Sequence, residues 1–193
     1  MTFKLLYEFS EGLNRRPVRV EEDLAPQVIK LTGQDRIDFV GVHLDPAISL
    51  GHIKQYRESN GVYDQNPVWV TSIRWYNELN MCWRRFVCCK ELMHVFDTEA
   101  EQTNTAEKFA TLLSELELAP PPEQASPMYV SENRTKWMAL CVLAPRPARA
   151  WAVDQIDQGL APYDVALALR IPEEFISNLV GPRYEPIRDS LTR

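Results

Sequence analysis

The most informative stretch of the sequence is Arg84–Asp97, RRFVCCKELMHVFD, which lies within a helix that we predict over Leu79–Asp97. A His-Glu-x-x-His helix places two imidazoles one turn apart on one face, where both bind zinc while the glutamate activates the bound water. The pentapeptide Lys90–His94 keeps the glutamate, as Glu91, and the second histidine, but it begins with a lysine. The stretch therefore predicts a helix that carries an incomplete zinc motif.

A second stretch, SENRTKWMALCVLAP, follows on a helix that we predict over Ser131–Leu143 and places Glu132 thirty-eight residues after His94. Together the two stretches resemble the ImmA/IrrE family of metallopeptidases. In that family an Arg-Phe-rich lead-in precedes the His-Glu-x-x-His helix, and a downstream glutamate begins a second motif. The residues that match the two motifs at the family's spacing are Arg85, Phe86, Glu91, His94, Glu132, Ala139, Leu143 and Pro145.

The resemblance covers roughly residues 35–180 and implies a role for each residue of the incomplete zinc motif. It implies that Glu91 is a vestigial general base and that His94 and Glu132 are vestigial metal ligands. Lys90 stands at the substituted position of the first ligand. The chain also departs from the family's motifs at Thr135, Lys136 and Met138.

The resemblance and the pattern of elements together predict an α+β fold, a mostly helical zincin-like single domain with a small N-terminal sheet. We expect this domain over residues 1–180 and a polar, loosely held tail over 181–193. Two stretches rich in β-branched and aromatic residues, Arg36–Leu44 and Pro67–Trp75, predict strands, with a short helix near Ser49–Ser59 between them. The other predicted helices are Val20–Leu31, Thr105–Leu118, Ala148–Gln158, Pro162–Leu169 and Pro172–Val180.

Composition and charge exclude several classes of protein. The 193 residues are 45% hydrophobic and 25% charged, which is typical of a globular chain rather than a disordered one. The longest uncharged apolar stretch, Trp137–Pro145, is shorter than the roughly 20 residues that a membrane-spanning helix needs. The net charge of −6 disfavours nucleic acid and anionic membranes unless basic residues cluster. The candidate clusters are Arg15, Arg16 and Arg19, and the pair Arg84 and Arg85.

The cysteines and the N-terminus predict a cytoplasmic protein. Cys82, Cys88, Cys89 and Cys141 show no paired metal-type spacing and lie in apolar helical sequence, as expected of reduced core thiols. The apolar run at the N-terminus is interrupted by Lys4, Glu8 and Glu11, so it lacks the uninterrupted core of a signal peptide.

Lys90 changes the chemistry of the motif. An ammonium has three donors and no lone pair, so it cannot ligate zinc unless its pKa falls far below its ordinary value. Only His94 and Glu132 then remain, one ligand short of the usual three for a catalytic zinc. We therefore expect the Lys90 ammonium to replace the metal and to neutralise Glu132 and Glu91 through charge-assisted hydrogen bonds. The other possibility is a zinc site completed by another residue, although Cys88 and Cys89 do not share the helix face of His94.

Each motif residue also has a purely structural interpretation. Glu91 could be an exposed helix carboxylate, and His94 a core histidine with satisfied hydrogen bonds. Glu132 could be a first-turn acid behind an N-cap at Ser131, a position that the helix dipole favours. The tryptophans, among them Trp75 and Trp83, are more typical of packing than of a stacking platform.

Three functions follow from these observations. The family is commonly encoded near phage or mobile-element repressors, so the resemblance implies that the chain binds a helix-turn-helix transcriptional regulator. With the first ligand lost, we expect binding without cleavage and no cofactor; the alternative is an active, atypical zinc endopeptidase. The third is DNA binding through a helix-turn-helix at Pro162–Val180. The region from Pro145 to Arg193 has six arginines against seven carboxylates, which disfavours that function.

Overall fold

The fold is a helical body around two central helices, α3 (Met81–Met93) and α5 (Pro127–Leu143), with a small sheet packed against α3. The computed structural model describes residues 2–13, 16–59 and 66–193. A π-helical turn, Val20–Leu24, precedes α2, and 3-10 turns occur at His94–Phe96 and Glu173–Phe175. The elements are α1 (Thr2–Gly12), α2 (Ala25–Thr32), β1 (Arg36–Val42), β2 (Gly51–Glu58), β3 (Val68–Tyr76), α3 (Met81–Met93), α4 (Ala106–Leu118), α5 (Pro127–Leu143), α6 (Arg146–Asp157), α7 (Pro162–Leu169), α8 (Ile176–Val180) and α9 (Tyr184–Leu191).

The predicted α+β class is confirmed, since the chain is 58% helical with a small three-stranded mixed sheet in its N-terminal half. No helix within the described ranges is long and apolar enough to cross a membrane. All four cysteines are free thiols, and three of them are buried.

The sheet has the strand order β1-β3-β2, with β1 parallel and β2 antiparallel to β3. The prediction of a short helix near Ser49–Ser59 is wrong, because Gly51–Glu58 forms β2 and pairs with β3 along its whole length. This stretch, GHIKQYRE, contains several good helix formers, but eight residues have a weak preference of their own. Backbone pairing with β3 therefore decides its conformation.

Gly51, the first residue of β2, is where the sheet touches α3. A Cβ atom there would lie 2.4 Å from Val87 Cγ1, 2.9 Å from the Arg74 carbonyl oxygen and 3.3 Å from Glu91 Cγ. The absence of a side chain therefore lets β2 lie directly against the turn of α3 that carries Glu91.

Gly51→Ala is expected to lower the free energy of unfolding by about 1–3 kcal/mol, because a methyl group would overlap both a side chain and a backbone carbonyl. Urea denaturation measures this change. Gly12→Ala is the control, since a Cβ there meets nothing within 4 Å, and its effect should stay within about 0.5 kcal/mol. Equal effects of the two substitutions would contradict the close approach of β2 to α3.

Helix α5 begins earlier than the sequence predicts. It starts at Pro127, and the Ser126 side chain accepts a hydrogen bond from the Tyr129 amide as its N-cap. Ser131 and Glu132 therefore lie inside the helix, and the interpretation of Glu132 as a first-turn acid behind an N-cap at Ser131 is wrong. Proline favours the first position of a helix, because the amide hydrogen that it lacks would have no partner there. Pro127 therefore favours the earlier start.

The expectation of a loosely held tail over 181–193 is also wrong, because these residues form α9 and pack on the core. The Tyr184 side chain is fully buried, and its hydroxyl donates to the Ala144 carbonyl at 2.9 Å. Arg188 is buried as well and pairs with Glu185 at 2.6 Å. The polar composition of the segment concealed one buried aromatic side chain, whose burial stabilises α9 on the end of α5.

Candidate functional site

The C-terminal half of α3 and the second turn of α5 bring the four motif residues together. Lys90 and Glu91 lie in the last turn of α3, His94 follows in a 3-10 turn, and Glu132 projects from α5. Both helices contribute apolar side chains to the core, and their packing holds the polar residues in one cluster. Lys90, Glu91, His94 and Glu132 are called the charge cluster below.

The Lys90 ammonium forms the centre of the charge cluster. Its Nζ lies 2.7 Å from Glu132 Oε2 and 2.9 Å from Glu132 Oε1, and it donates to Glu91 Oε1 at 3.0 Å. The side chains are 14% exposed for Lys90, 5% for Glu91 and 17% for Glu132, so little water competes for these contacts. Burial alone would lower the pKa of Lys90, but attraction to both carboxylates outweighs it and raises the pKa.

Glu132 is held ionised by two cations. Burial would raise its pKa, but the charge of Lys90 and a hydrogen bond from His94 lower the pKa well below its ordinary range. His94 Nε2 lies 3.3 Å from Glu132 Oε1. Glu132 thus contacts Lys90 and His94 at the same time and links α5 to α3.

His94 is protonated at neutral pH. Burial would lower its pKa, but hydrogen bonds to Asp97 and Glu132 raise the pKa to about 9. Its Nδ1 lies 2.7 Å from Asp97 Oδ2, so both ring nitrogens face carboxylates and both act as donors.

The charge cluster therefore does not fit a zinc ion. The Lys90 ammonium has no lone pair, and its Nζ lies 2.7 Å from Glu132 Oε2, so a cation stands at the position of the first ligand and pairs with one of the two remaining ligands. Within the part of the chain that the structure describes, no group of three or more histidine, cysteine, aspartate or glutamate side chains could hold a metal ion.

No cysteine completes the site. Burial raises the pKa of the Cys88 thiol to about 12 and raises that of Cys89 still further, so both stay protonated at neutral pH. Of the other two histidines, His43 is exposed just after β1, and His52 lies on β2, where burial lowers its pKa.

A second set of polar residues, missed by the sequence analysis, holds Asp97, the carboxylate that contacts Nδ1 of His94. Asp97 Oδ1 accepts a hydrogen bond of 2.6 Å from the Ser131 hydroxyl and one of 3.0 Å from Arg134 Nη2. Arg134 Nη1 also pairs with Glu101 Oε1 at 2.6 Å. Asp97 follows His94 by three residues, a helical spacing that could have identified it as a partner.

Glu101 gives a pH-dependent test of this support. Hydrogen bonds from Arg134 and from Thr98 lower its pKa to about 2, although burial opposes them. The folded pKa is below the ordinary 4.5, so the stabilisation is present above pH 4.5 and is lost as the pH falls through about 2. Wild type should be more stable than Glu101→Gln by about 1 kcal/mol at pH 7, a difference that shrinks at pH 3 and vanishes near pH 2. A difference that is the same at pH 7 and pH 2 would contradict this assignment.

The structure also decides between the structural interpretations of the motif residues. Glu91 is buried, so it is not an exposed helix carboxylate. His94 is mostly buried with both ring nitrogens close to carboxylates, which agrees with its interpretation as a core histidine with satisfied hydrogen bonds. Trp75 and Trp137 pack against the core, as expected of packing residues. Of the candidate basic clusters, Arg15 lies outside the described residues, and the Arg85 guanidinium is bonded to backbone carbonyls of the protein itself.

Comparison with known proteins adds no relative. No family model matches the chain, and neither the curated proteins nor the solved structures contain a significant match. The resemblance to the ImmA/IrrE family thus stays a prediction that rests on the two motifs.

Proposed function

We propose that the chain is a catalytically inactive metallopeptidase-like protein of the cytoplasm that binds a protein partner, a helix-turn-helix transcriptional regulator of a phage or mobile element. The observation that carries the proposal is the position of the Lys90 ammonium, within 3.0 Å of both Glu91 and Glu132. A residue that pairs with the base and with one ligand of a peptidase site removes the chemistry of that site and leaves the fold in place. Such a protein can still recognise the substrate that an active relative would cleave.

The chemistry of each residue supports inactivity. A general base must be free to take a proton from water, whereas the Glu91 carboxylate already accepts a hydrogen bond from Lys90. A catalytic zinc needs three protein ligands, whereas the Lys90 ammonium at the first position has no lone pair and pairs with Glu132, one of the other two. The free thiols of all four cysteines support a cytoplasmic location, where thiols stay reduced.

Purified protein should form a complex with a helix-turn-helix regulator encoded beside it, and the regulator should remain intact after incubation in the presence of zinc. Titration calorimetry measures the binding, and gel electrophoresis of the mixture over time measures cleavage. A regulator that is bound and uncut supports the proposal. No complex with any neighbouring regulator would count against it.

The alternative is an active, atypical zinc endopeptidase that cleaves such a repressor. The proximity of Glu91, His94 and Glu132 favours it, because two implied ligands and the base remain in one cluster. It predicts cleavage that a chelator abolishes and that Glu91→Gln removes, since the glutamate is the base in such sites.

A further inference from the structure

An open groove of 720 Å³ lies between α6, α7 and α8, and none of its lining residues belongs to the charge cluster. Apolar side chains form most of its wall, and two adjacent carboxylates lie at its rim. The residues that matter here are Trp83, Ile156, Ile176 and Val180 on the wall and Glu173 and Glu174 at the rim. This surface is called the acidic groove below.

The acidic groove is held in place by aromatic packing on α3. Phe175, next to Glu174, stacks on Phe86 with ring centroids 4.1 Å apart and meets the edge of Trp83 at 5.9 Å. Below it, Ile176 is 1% exposed. The 3-10 turn that carries both glutamates is therefore held against α3.

Charge around the acidic groove is strongly one-sided. Residues 150–180 contain five carboxylates, all exposed, and one basic residue, Arg170. Neither Glu173 nor Glu174 forms an ion pair within 4.0 Å of any residue in the described ranges. Lys136 on α5 acts on Glu174 at longer range. The five carboxylates are Asp154, Asp157, Asp164, Glu173 and Glu174.

We propose that the acidic groove docks a basic segment of a protein partner, with an apolar side chain against Trp83 and Val180 and a lysine or arginine at Glu173 and Glu174. Apolar contact supplies the affinity, and the unpaired carboxylates select a cationic segment and speed its approach. The same charge repels the phosphates of nucleic acid and a second copy of this chain, which has a net charge of −6. The inference rests on the proposed function, because it locates the surface on which the partner binds.

A fluorescein-labelled amphipathic helix of leucine and lysine, about 14 residues long, is the probe, and an otherwise identical peptide with glutamate for lysine is its control. Fluorescence anisotropy at 0.15 M salt should show micromolar binding of the lysine peptide and none of the glutamate peptide. The double variant Glu173→Lys/Glu174→Lys should weaken binding at least about tenfold. Ser177→Arg should do the same, because it places a cation one turn from both glutamates inside the groove.

The matched control is Glu117→Lys/Glu123→Lys, which changes the charge equally at two exposed positions outside the groove. It should bind the peptide within about twofold of wild type. Equal losses in this control, or no binding of the lysine peptide to wild type, would overturn the inference. Sedimentation that shows a dimer broken by Glu173→Lys/Glu174→Lys would overturn it too, because the occupant would then be a second copy.

The acidic groove and the proposed function can be refuted by different results. A regulator that binds with equal affinity to wild type and to Glu173→Lys/Glu174→Lys would overturn the acidic groove and leave the proposed function standing. Stoichiometric zinc in a protein that still binds the peptide would overturn the proposed function and leave the acidic groove standing.

Discussion

Lys90→Met is expected to lower the free energy of unfolding by about 3–5 kcal/mol, the cost of leaving buried charges without their partner. The ammonium lies within 3.0 Å of two carboxylates that are 5% and 17% exposed. Methionine keeps much of the volume of lysine but removes the charge, so Glu91 would lose the cation that it contacts and Glu132 would keep only His94. Urea denaturation at pH 7, followed by circular dichroism, measures the change.

Two further variants show that charge, not volume, causes the loss. Adding Glu91→Gln and Glu132→Gln to Lys90→Met removes both stranded charges and should recover much of the stability. Lys136→Met, one turn beyond Glu132 on α5 and in no ion pair within 4.0 Å of the described residues, should cost about 1 kcal/mol or less. Losses of equal size in Lys90→Met and Lys136→Met would contradict the central position of Lys90.

Arg85→Met should also lower the free energy of unfolding, by about 3–4 kcal/mol, because it leaves several partly buried carbonyls without a donor. Its guanidinium donates to the Val18 carbonyl at 2.7 and 2.9 Å and to the Leu169 and Arg170 carbonyls at 2.8 and 2.9 Å. The last two belong to the C-terminal end of α7, where helical carbonyls have no partner of their own. The Arg85 side chain on α3 thus joins the segment around Val18, which precedes α2, to the C-terminal end of α7.

Arg84→Met is the matched control for Arg85→Met. Arg84 is the neighbouring residue and is exposed, and its guanidinium stacks on Trp75 at 5.2 Å from the ring centroid. We expect a loss of about 1 kcal/mol or less. If both arginine variants lost the same free energy, the hydrogen bonds of Arg85 would not have the structural importance assigned to them.

Elements with a strong local pattern could be predicted from the sequence. Alternating β-branched and aromatic residues identify β1 and β3, and a long apolar helical period identifies α3. The conformation of β2 could not be predicted, because it depends on pairing with a strand that comes later in the chain. The ordered packing of α9 could not be predicted either, since it depends on the burial of Tyr184 against the end of α5.

The charge cluster was predictable in part. A cation at the position of the first ligand, with a carboxylate beside it and another on a later helix, led us to expect the contacts of Lys90 with Glu91 and Glu132. The support of His94 by Asp97, Ser131 and Arg134 was not foreseen, because a tertiary contact between the ends of two helices determines it. Asp97 alone had a signal in the sequence, its spacing from His94.

The zinc content of the purified protein tests most directly whether Lys90 takes the place of a metal. Elemental analysis after dialysis against zinc at pH 7 should find far less than one zinc per chain in wild type. Lys90→His restores the third ligand and should bind one zinc per chain, since His94 then loses its proton to the metal. Stoichiometric zinc in wild type would contradict the account.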